Sequence, residues 1–218
     1  MIKKLFFNIF RKRTIRMVLF DLMRYKTRLF NSSKKICTNK PLLHLGCGNR
    51  KIKGWVNADI TESDINIDLG SGTLPWVDNS FNCIVSQHVI DDLDINDELI
   101  PLLKECNRII SPGGEIWISC PDIEKICISY LNNNFSDLIE DRKKRFPNYT
   151  LGDMPNSQFF NDLIFEGGNN VNFFDYSLLK HILEEKAGFI NCEKISERDL
   201  LLKFNNFPKR QDKKQTLY

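Results

Sequence analysis

Two glycines and a carboxylate stand out for their spacing. Gly46 and Gly48 follow the apolar run at 42–45, and Asp59 lies 11 residues beyond Gly48, all within PLLHLGCGNRKIKGWVNADI at 41–60. Glycine at the exit of a strand lets a ligand approach backbone that a side chain would shield. A carboxylate ending the next strand can accept both hydroxyl protons of a ribose, each charge-assisted bond contributing about 1.5–3 kcal/mol when desolvated. The passage therefore suits an adenosine-type ligand. A dinucleotide fingerprint wants a third glycine and an acid about 20 residues further on. Lys51 takes that glycine position and Asp59 comes too early, so a pyrophosphate and nicotinamide-dependent oxidoreduction are disfavoured. No GxxxxGK[ST] run is present, which sets aside a nucleotide triphosphate loop.

Such residues need a scaffold that brings strand ends together. Short apolar runs predict strands at 42–45, 55–59, 64–69, 82–87, 114–120, 189–195 and 199–205. Between them, Leu99, Leu102, Leu103, Cys106 and Ile110 form a helical face that stops before SPGG at 111–114. A second helix, Ser177 to Lys186, is capped by Asp175 or Ser177 and ends at Gly188. Strands alternating with helices imply an α/β fold, a mostly parallel sheet covered on both faces. Ligands of such sheets sit outside the carboxyl ends of the strands, which is where the glycine passage falls.

With 218 residues, 42% of them hydrophobic, the chain suits one domain with appendages. Residues 1–40 carry 12 Lys+Arg against Asp21, residues 41–202 carry 14 against 26 acids, and residues 203–218 carry 5 against Asp212. The acidic body between basic ends argues against nucleic acid as the substrate. Seven cysteines include no CxxC pair and no nearby histidine, so neither a metal site nor a disulfide framework is expected, and a reduced, cytoplasmic protein is the default. The basic extension is too interrupted by charge for a membrane span or signal core. Ile15, Val18, Leu19, Leu22, Tyr25 and Leu29 nevertheless recur at helical spacing. Such a helix either covers the edge of the domain core or lies on anionic lipid. In the second case Lys3, Lys4, Arg11, Lys12, Arg13 and Arg16 meet headgroups while Leu5, Phe6, Phe7 and Phe10 enter the interface.

LHLGCGNRKIKGWVNADI resembles the first motif of class I S-adenosylmethionine-dependent methyltransferases, with the closest likeness to the methyltransferase type-11 group, including members associated with bacterial surface-polysaccharide synthesis. The likeness continues through IDLGSGTLPWVDNSFNCIVSQHVIDDL at 67–93, LLKECNRIISPGGEIWISCPD at 102–122 and FFDYSLLKHILEEKAGF at 173–189. Spanning about 42–196, it implies a Rossmann-like, doubly wound sheet of seven strands in a domain at 41–205, which the charge pattern flanks with a basic N-terminal helical extension over 1–40 and a basic tail at 206–218. It also implies S-adenosyl-L-methionine as cofactor. Gly46, Cys47 and Gly48 would line the methionine and ribose side, Asp59 would bind the ribose hydroxyls, and Asp68 and Leu69 would flank the adenine. Gln87 and His88 would face the methyl group and the acceptor. Each has a plainer account as well: the glycines as a tight strand exit, Asp68 as a turn cap, Cys47 as a small packed residue.

The chain departs from the group in two places. Relatives read close to SHVLEHL where it has QHVIDDL at 87–93, so Asp91 and Asp92 replace a Glu and a His. The region 131–172, expected as an acceptor lid, carries GGNNVNFFDY where relatives place a His or Arg, and DRKKRF at 141–146 could meet a phosphate-bearing acceptor or be a solvated helix face. If the acceptor is a sugar hydroxyl its proton must leave; His88, with Asp91 as a polar neighbour, is the candidate base, or else His88 bonds backbone and shapes the pocket. His44 and His181 are expected to be structural. The function expected is O-directed methyl transfer to a sugar, nucleotide-sugar or lipid-linked glycan precursor. The alternative is a methyltransferase-fold scaffold without catalysis.

Overall fold

The computed structural model describes residues 11–30, 35–165 and 170–218. Its centre is one sheet of six strands: β1 (Leu42–Leu45), β2 (Val56–Asp59), β3 (Ile65–Asn66), β4 (Phe81–Gln87), β5 (Ile110–Pro121) and β6 (Thr216–Leu217), ordered β3-β2-β1-β4-β5-β6. The first five are parallel and β6 runs antiparallel to β5. The chain order reverses beside β1, so the ends of β1 and β4 open onto the crevice where such sheets bind ligands.

Central strands buried on both faces are mostly apolar on both, and β1 and β4 are, with His44, Ser86 and Gln87 as buried polar exceptions. One face packs Leu43, Leu45 and Ile84 against α2 (Ile100–Ile109) and α6 (Tyr176–His181), the latter continuing as a wider π-helical turn, Ile182–Lys186. The other packs Val85 and Cys83 against Trp55, Leu200 and Phe207. Between β5 and β6 run α3 (Ile123–Leu131), α4 (Ser136–Arg145), α5 (Ser157–Phe165), α6 and α7 (Glu197–Lys203). The region read as a lid contains α4 and α5, which share a small core of their own with Ile126 of α3, built on Phe135, Leu138, Phe159 and Leu163. Part of GGNNVNFFDY, residues 167–169, lies outside the described residues.

The expected seven strands are six among the described residues, and two assignments change. Residues 189–195 form no strand; they are linked to β6's end by one bond, Ile195 N to Tyr218 O at 3.1 Å. Residues 199–205 fall largely in α7. There Ser196 and Asp199 make a reciprocal capping box, and Leu200 is buried over the sheet, so cap and helical spacing outweigh the apolar run. The antiparallel edge comes instead from the stretch read as a basic tail. At SPGG the β4–β5 register jumps, Ile110 facing Phe81 and Glu115 facing Cys83. Gly114 permits this irregularity, since a Cβ there would lie 2.8 Å from the Asn82 carbonyl oxygen.

The basic helix exists as α1 (Lys12–Phe30), but it is turned over relative to a core-covering helix. Val18, Leu19, Leu22, Tyr25 and Leu29 are all more than half exposed, whereas its Arg24, Thr27 and Arg28 reach the domain. Residues 1–10, with the Lys3, Lys4, Leu5, Phe6, Phe7 and Phe10 of the lipid reading, lie outside the described residues.

Trp76 is 1% exposed and meets Phe81 edge to face at 5.2 Å between ring centroids. Trp76→Ala should lower stability by about 3–5 kcal/mol. Urea unfolding would show this as a fall in midpoint at constant slope.

Candidate functional site

The loop leaving β1 is fixed by backbone bonds to β2. The amides of Gly46 and Cys47 both donate to the Ala58 carbonyl, at 2.8 and 3.1 Å. Gly46 has φ +72°, and a Cβ there would sit 2.1 Å from Val89 Cγ2, so both backbone and space require glycine. Gly48 differs: φ is +52°, but a Cβ would meet nothing within 4 Å. Its side of the loop is open. The Gly48 amide donates to Asp59 Oδ2 at 2.7 Å, and the Ile60 amide to Asp59 Oδ1 at 2.7 Å. Each carboxylate oxygen thus keeps accepting capacity for a ligand hydroxyl beside the open Gly48. Cys47 is buried, and its thiol is pushed up to about 11 by burial and then by Asp59, which suits packing rather than nucleophilic work.

Asp68 is 4% exposed, and its carboxylate is engaged within the protein. Oδ1 accepts from the Gly70 amide at 3.1 Å, capping the turn Leu69–Ser71. Arg24 Nε lies 3.1 Å from both oxygens and Arg28 Nε 2.5 Å from Oδ2, while Arg24 also pairs with Glu98. The residue read as an adenine neighbour therefore anchors α1 beside the crevice. Leu69, partly buried, packs on the core.

At the end of β4, Gln87 is 3% exposed and accepts from Arg50 Nη2 at 2.8 Å. His88 follows with φ +53°, a conformation that costs a histidine backbone strain and recurs at functional sites. Its amide donates to the Ser119 carbonyl at 2.7 Å, and Nε2 lies 3.2 Å from Thr216 Oγ1 and 3.5 Å from Asp212 Oδ2. Burial first, then Arg210, Arg145, Arg50 and Arg142, hold His88 well below the usual imidazole range, so it is neutral at physiological pH. Asp91, 4% exposed, lies in the next turn, its carbonyl accepting the Val171 and Asn172 amides. His44 is fully buried with its ring 4.9 Å from Phe207, and burial followed by Arg50 lowers it to about 3: a structural, neutral imidazole. His181 ends α6.

DRKKRF is only partly a solvated face. Lys144 pairs with Glu140 at 2.8 Å, but Arg142 is 9% exposed beside Phe146, and Arg145 reaches Asp212 at 3.2 Å. Arg50, Arg210, Asp212 and Thr216 were not among the residues singled out by sequence. Arg50 sits in the glycine passage itself and could have been noticed; the other three come from a tail whose return to β4 no local pattern announces. Among the described residues no cluster of metal-ligating side chains occurs.

Residues 43–118 of the 218 match the family model for a methyltransferase domain. No curated protein sequence matches the chain. Among solved structures, an S-adenosylmethionine-dependent methyltransferase of Mesorhizobium loti is similar at 12% identity, TM-score 0.45, covering 88% of this chain and 93% of that one. One from Archaeoglobus fulgidus is similar at 16% identity, TM-score 0.42, covering 90% and 91%. Phosphoethanolamine N-methyltransferase 2 of Haemonchus contortus, solved with S-adenosyl-L-methionine, is similar at 15% identity, TM-score 0.43, covering 77% of this chain and 38% of that one.

Gly46→Ala should force Val89 aside and unseat the loop. A melting temperature lower by several degrees is expected, whereas Gly48→Ala, with open space around it but φ +52°, should carry only the left-handed backbone strain of about 1–2 kcal/mol and melt between Gly46→Ala and wild type. Circular dichroism melts of the two variants check this contrast.

Proposed function

We propose that the chain is an S-adenosylmethionine-dependent methyltransferase whose acceptor is a small molecule, a hydroxyl of a sugar, nucleotide-sugar or lipid-linked glycan precursor. The observation that carries the cofactor reading is the Gly48–Asp59 bond beside an unshielded stretch of loop. It leaves a carboxylate fixed for ribose hydroxyls at the end of β2. The cofactor supplies a methyl group on a cationic sulfur. Gly46, Cys47 and Gly48 give it backbone to lie on, and Asp59 orients the nucleoside. Alignment of acceptor and methyl can contribute about 7–11 kcal/mol in favourable cases, so much of the rate needs no acid or base. A hydroxyl acceptor must still lose its proton; His88 at the end of β4 is neutral and so able to accept one, although the burial and arginines that keep it neutral also weaken it as a base.

The engagement of His88 Nε2 by Thr216 and Asp212 favours a second reading, a scaffold that binds the cofactor without turnover. Binding of S-adenosylhomocysteine with no methyl transfer to any glycan acceptor, and co-purification of a glycosyltransferase, would select it. Isothermal titration should show binding of S-adenosylhomocysteine to the wild type and an affinity about 10-fold or more weaker for Asp59→Ala. Equal affinities would remove Asp59 from the ribose.

The exposed stripe Val18, Leu22, Tyr25 and Leu29 supports peripheral contact with an anionic membrane. Arg16 and Lys26 are exposed on the same helix and Arg11 just before it, and the helix's one acid is Asp21, so a second copy of α1 would meet like charge while anionic lipid would not. No described helix is long and apolar enough to cross a membrane. The protein should float with phosphatidylglycerol vesicles and less with phosphatidylcholine, and Val18→Glu/Leu22→Glu should abolish flotation. Equal flotation of that variant, or light scattering that shows a dimer dispersed by it, would discard the lipid reading.

A further inference from the structure

Three separate parts of the chain deliver arginines to the end of β4: Arg50 from the loop after β1, Arg145 from the last turn of α4, and Arg210 from the segment before β6. Among the described residues Asp212 is the carboxylate that pairs with two of these guanidinium groups, while Glu197 accepts from the Arg210 main-chain amide at 2.6 Å. Asp212, fully buried, accepts from Arg210 Nε at 2.9 Å and Arg145 Nη1 at 3.2 Å. Asp141 is engaged elsewhere, by Lys144 at 3.3 Å and the Lys214 amide at 2.8 Å. The cluster thus carries an excess of positive charge, and guanidinium groups do not shed it near neutral pH. Burial, followed by repulsion from Arg210, lowers Arg50 only to about 10.

Donors in the same cluster are buried with no hydrogen-bond partner: Arg50 Nη1, Arg210 Nη2 and Gln87 Nε2. The Arg210 and Gln87 side chains are only 8% and 3% exposed, so water does not offset this. Folds rarely leave buried donors unmet, and two guanidinium forks beside an amide suit the oxygens of a phosphate or carboxylate. The three unmet donors have no solvent contact of their own; the cluster meets solvent at Arg145, 23% exposed, and His88, 12%.

We propose that Arg50, Arg210 and Gln87 form an anion subsite, adjoining His88, that holds a phosphate or carboxylate group of the methyl acceptor. The inference rests on the methyltransferase reading and narrows its acceptor to an anionic molecule. The subsite has a chemical consequence for its neighbour. The groups acting on His88 are the cations of Arg50, Arg142, Arg145 and Arg210 and the carboxylate of Asp212. A bound anion offsets those cations and raises the proton affinity of His88, so an acceptor with the right charge would strengthen the base it needs.

The test uses the full chain without cofactor and follows the His88 ring resonances by NMR, with inorganic phosphate and, separately, acetate as probes. Saturable shifts of His88, together with a raised His88 pKa in phosphate, are expected. Arg210→Gln and Arg50→Gln should each weaken phosphate binding at least 10-fold, and Lys180→Gln, far along the chain on α6, should not. Absence of a saturable shift in the wild type overturns the subsite without any variant, and so does equal phosphate affinity in a folded Arg210→Gln. Titration with S-adenosylhomocysteine separates the two sources of the anion. Affinity unchanged in Arg210→Gln, with phosphate still binding the saturated protein, supports the acceptor. Loss of S-adenosylhomocysteine binding in Arg210→Gln, with phosphate excluded by it, gives the arginines to the donor's methionine carboxylate and overturns this inference while leaving the cofactor reading intact.

Discussion

One amide fixes the geometry on which the crevice depends, that of Gly48, which closes on Asp59 from across the β1–β2 pair. The bond works only because β1 and β2 run parallel in a register that sets Leu45 beside Ala58, putting the loop and the carboxylate at the same end. That register comes from apolar side chains on both faces of β1 and from Gly46 turning the chain where Val89 leaves no room for a side chain. A buried core thereby determines the position of a half-buried polar group, the usual division of labour in parallel sheets.

Around that crevice, neighbouring charges differ in use. On the β3 side, Asp68 is consumed by Arg24 and Arg28 and holds a helix. On the β4 side, arginines outnumber the carboxylate that meets them. Buried carboxylates that look equivalent in sequence, Asp68 and Asp212, therefore do different things because one faces a helix carrying its cations and the other faces a strand end.

Most strands of the parallel sheet were legible because they are locally apolar and bounded by turn chemistry, though the run at 64–69 shrinks to Ile65–Asn66 because Asp68 caps a turn, and the Gly46, Gly48 and Asp59 constellation was legible because it is local too. What escaped is non-local or short. β6 is two residues long, lies in a stretch whose composition is basic, and pairs with a partner about a hundred positions away. The 199–205 run reads as a strand by apolarity alone, yet SERD at 196–199 spells a capping box that should have outweighed it. The apolar stripe of α1 was seen correctly, but its orientation is decided by Asp68 and Glu98, far off in sequence. The arginine gathering at His88 needed the tail's return path, which no pattern near residue 210 discloses.

The mounting of α1 has a thermodynamic consequence. Since its large apolar side chains are already in water and its attachment runs through guanidinium–carboxylate pairs and one hydroxyl, detaching it uncovers little new hydrocarbon. Heat-capacity change follows apolar exposure. Release of this helix would therefore change the heat capacity little, whatever enthalpy its ion pairs carry.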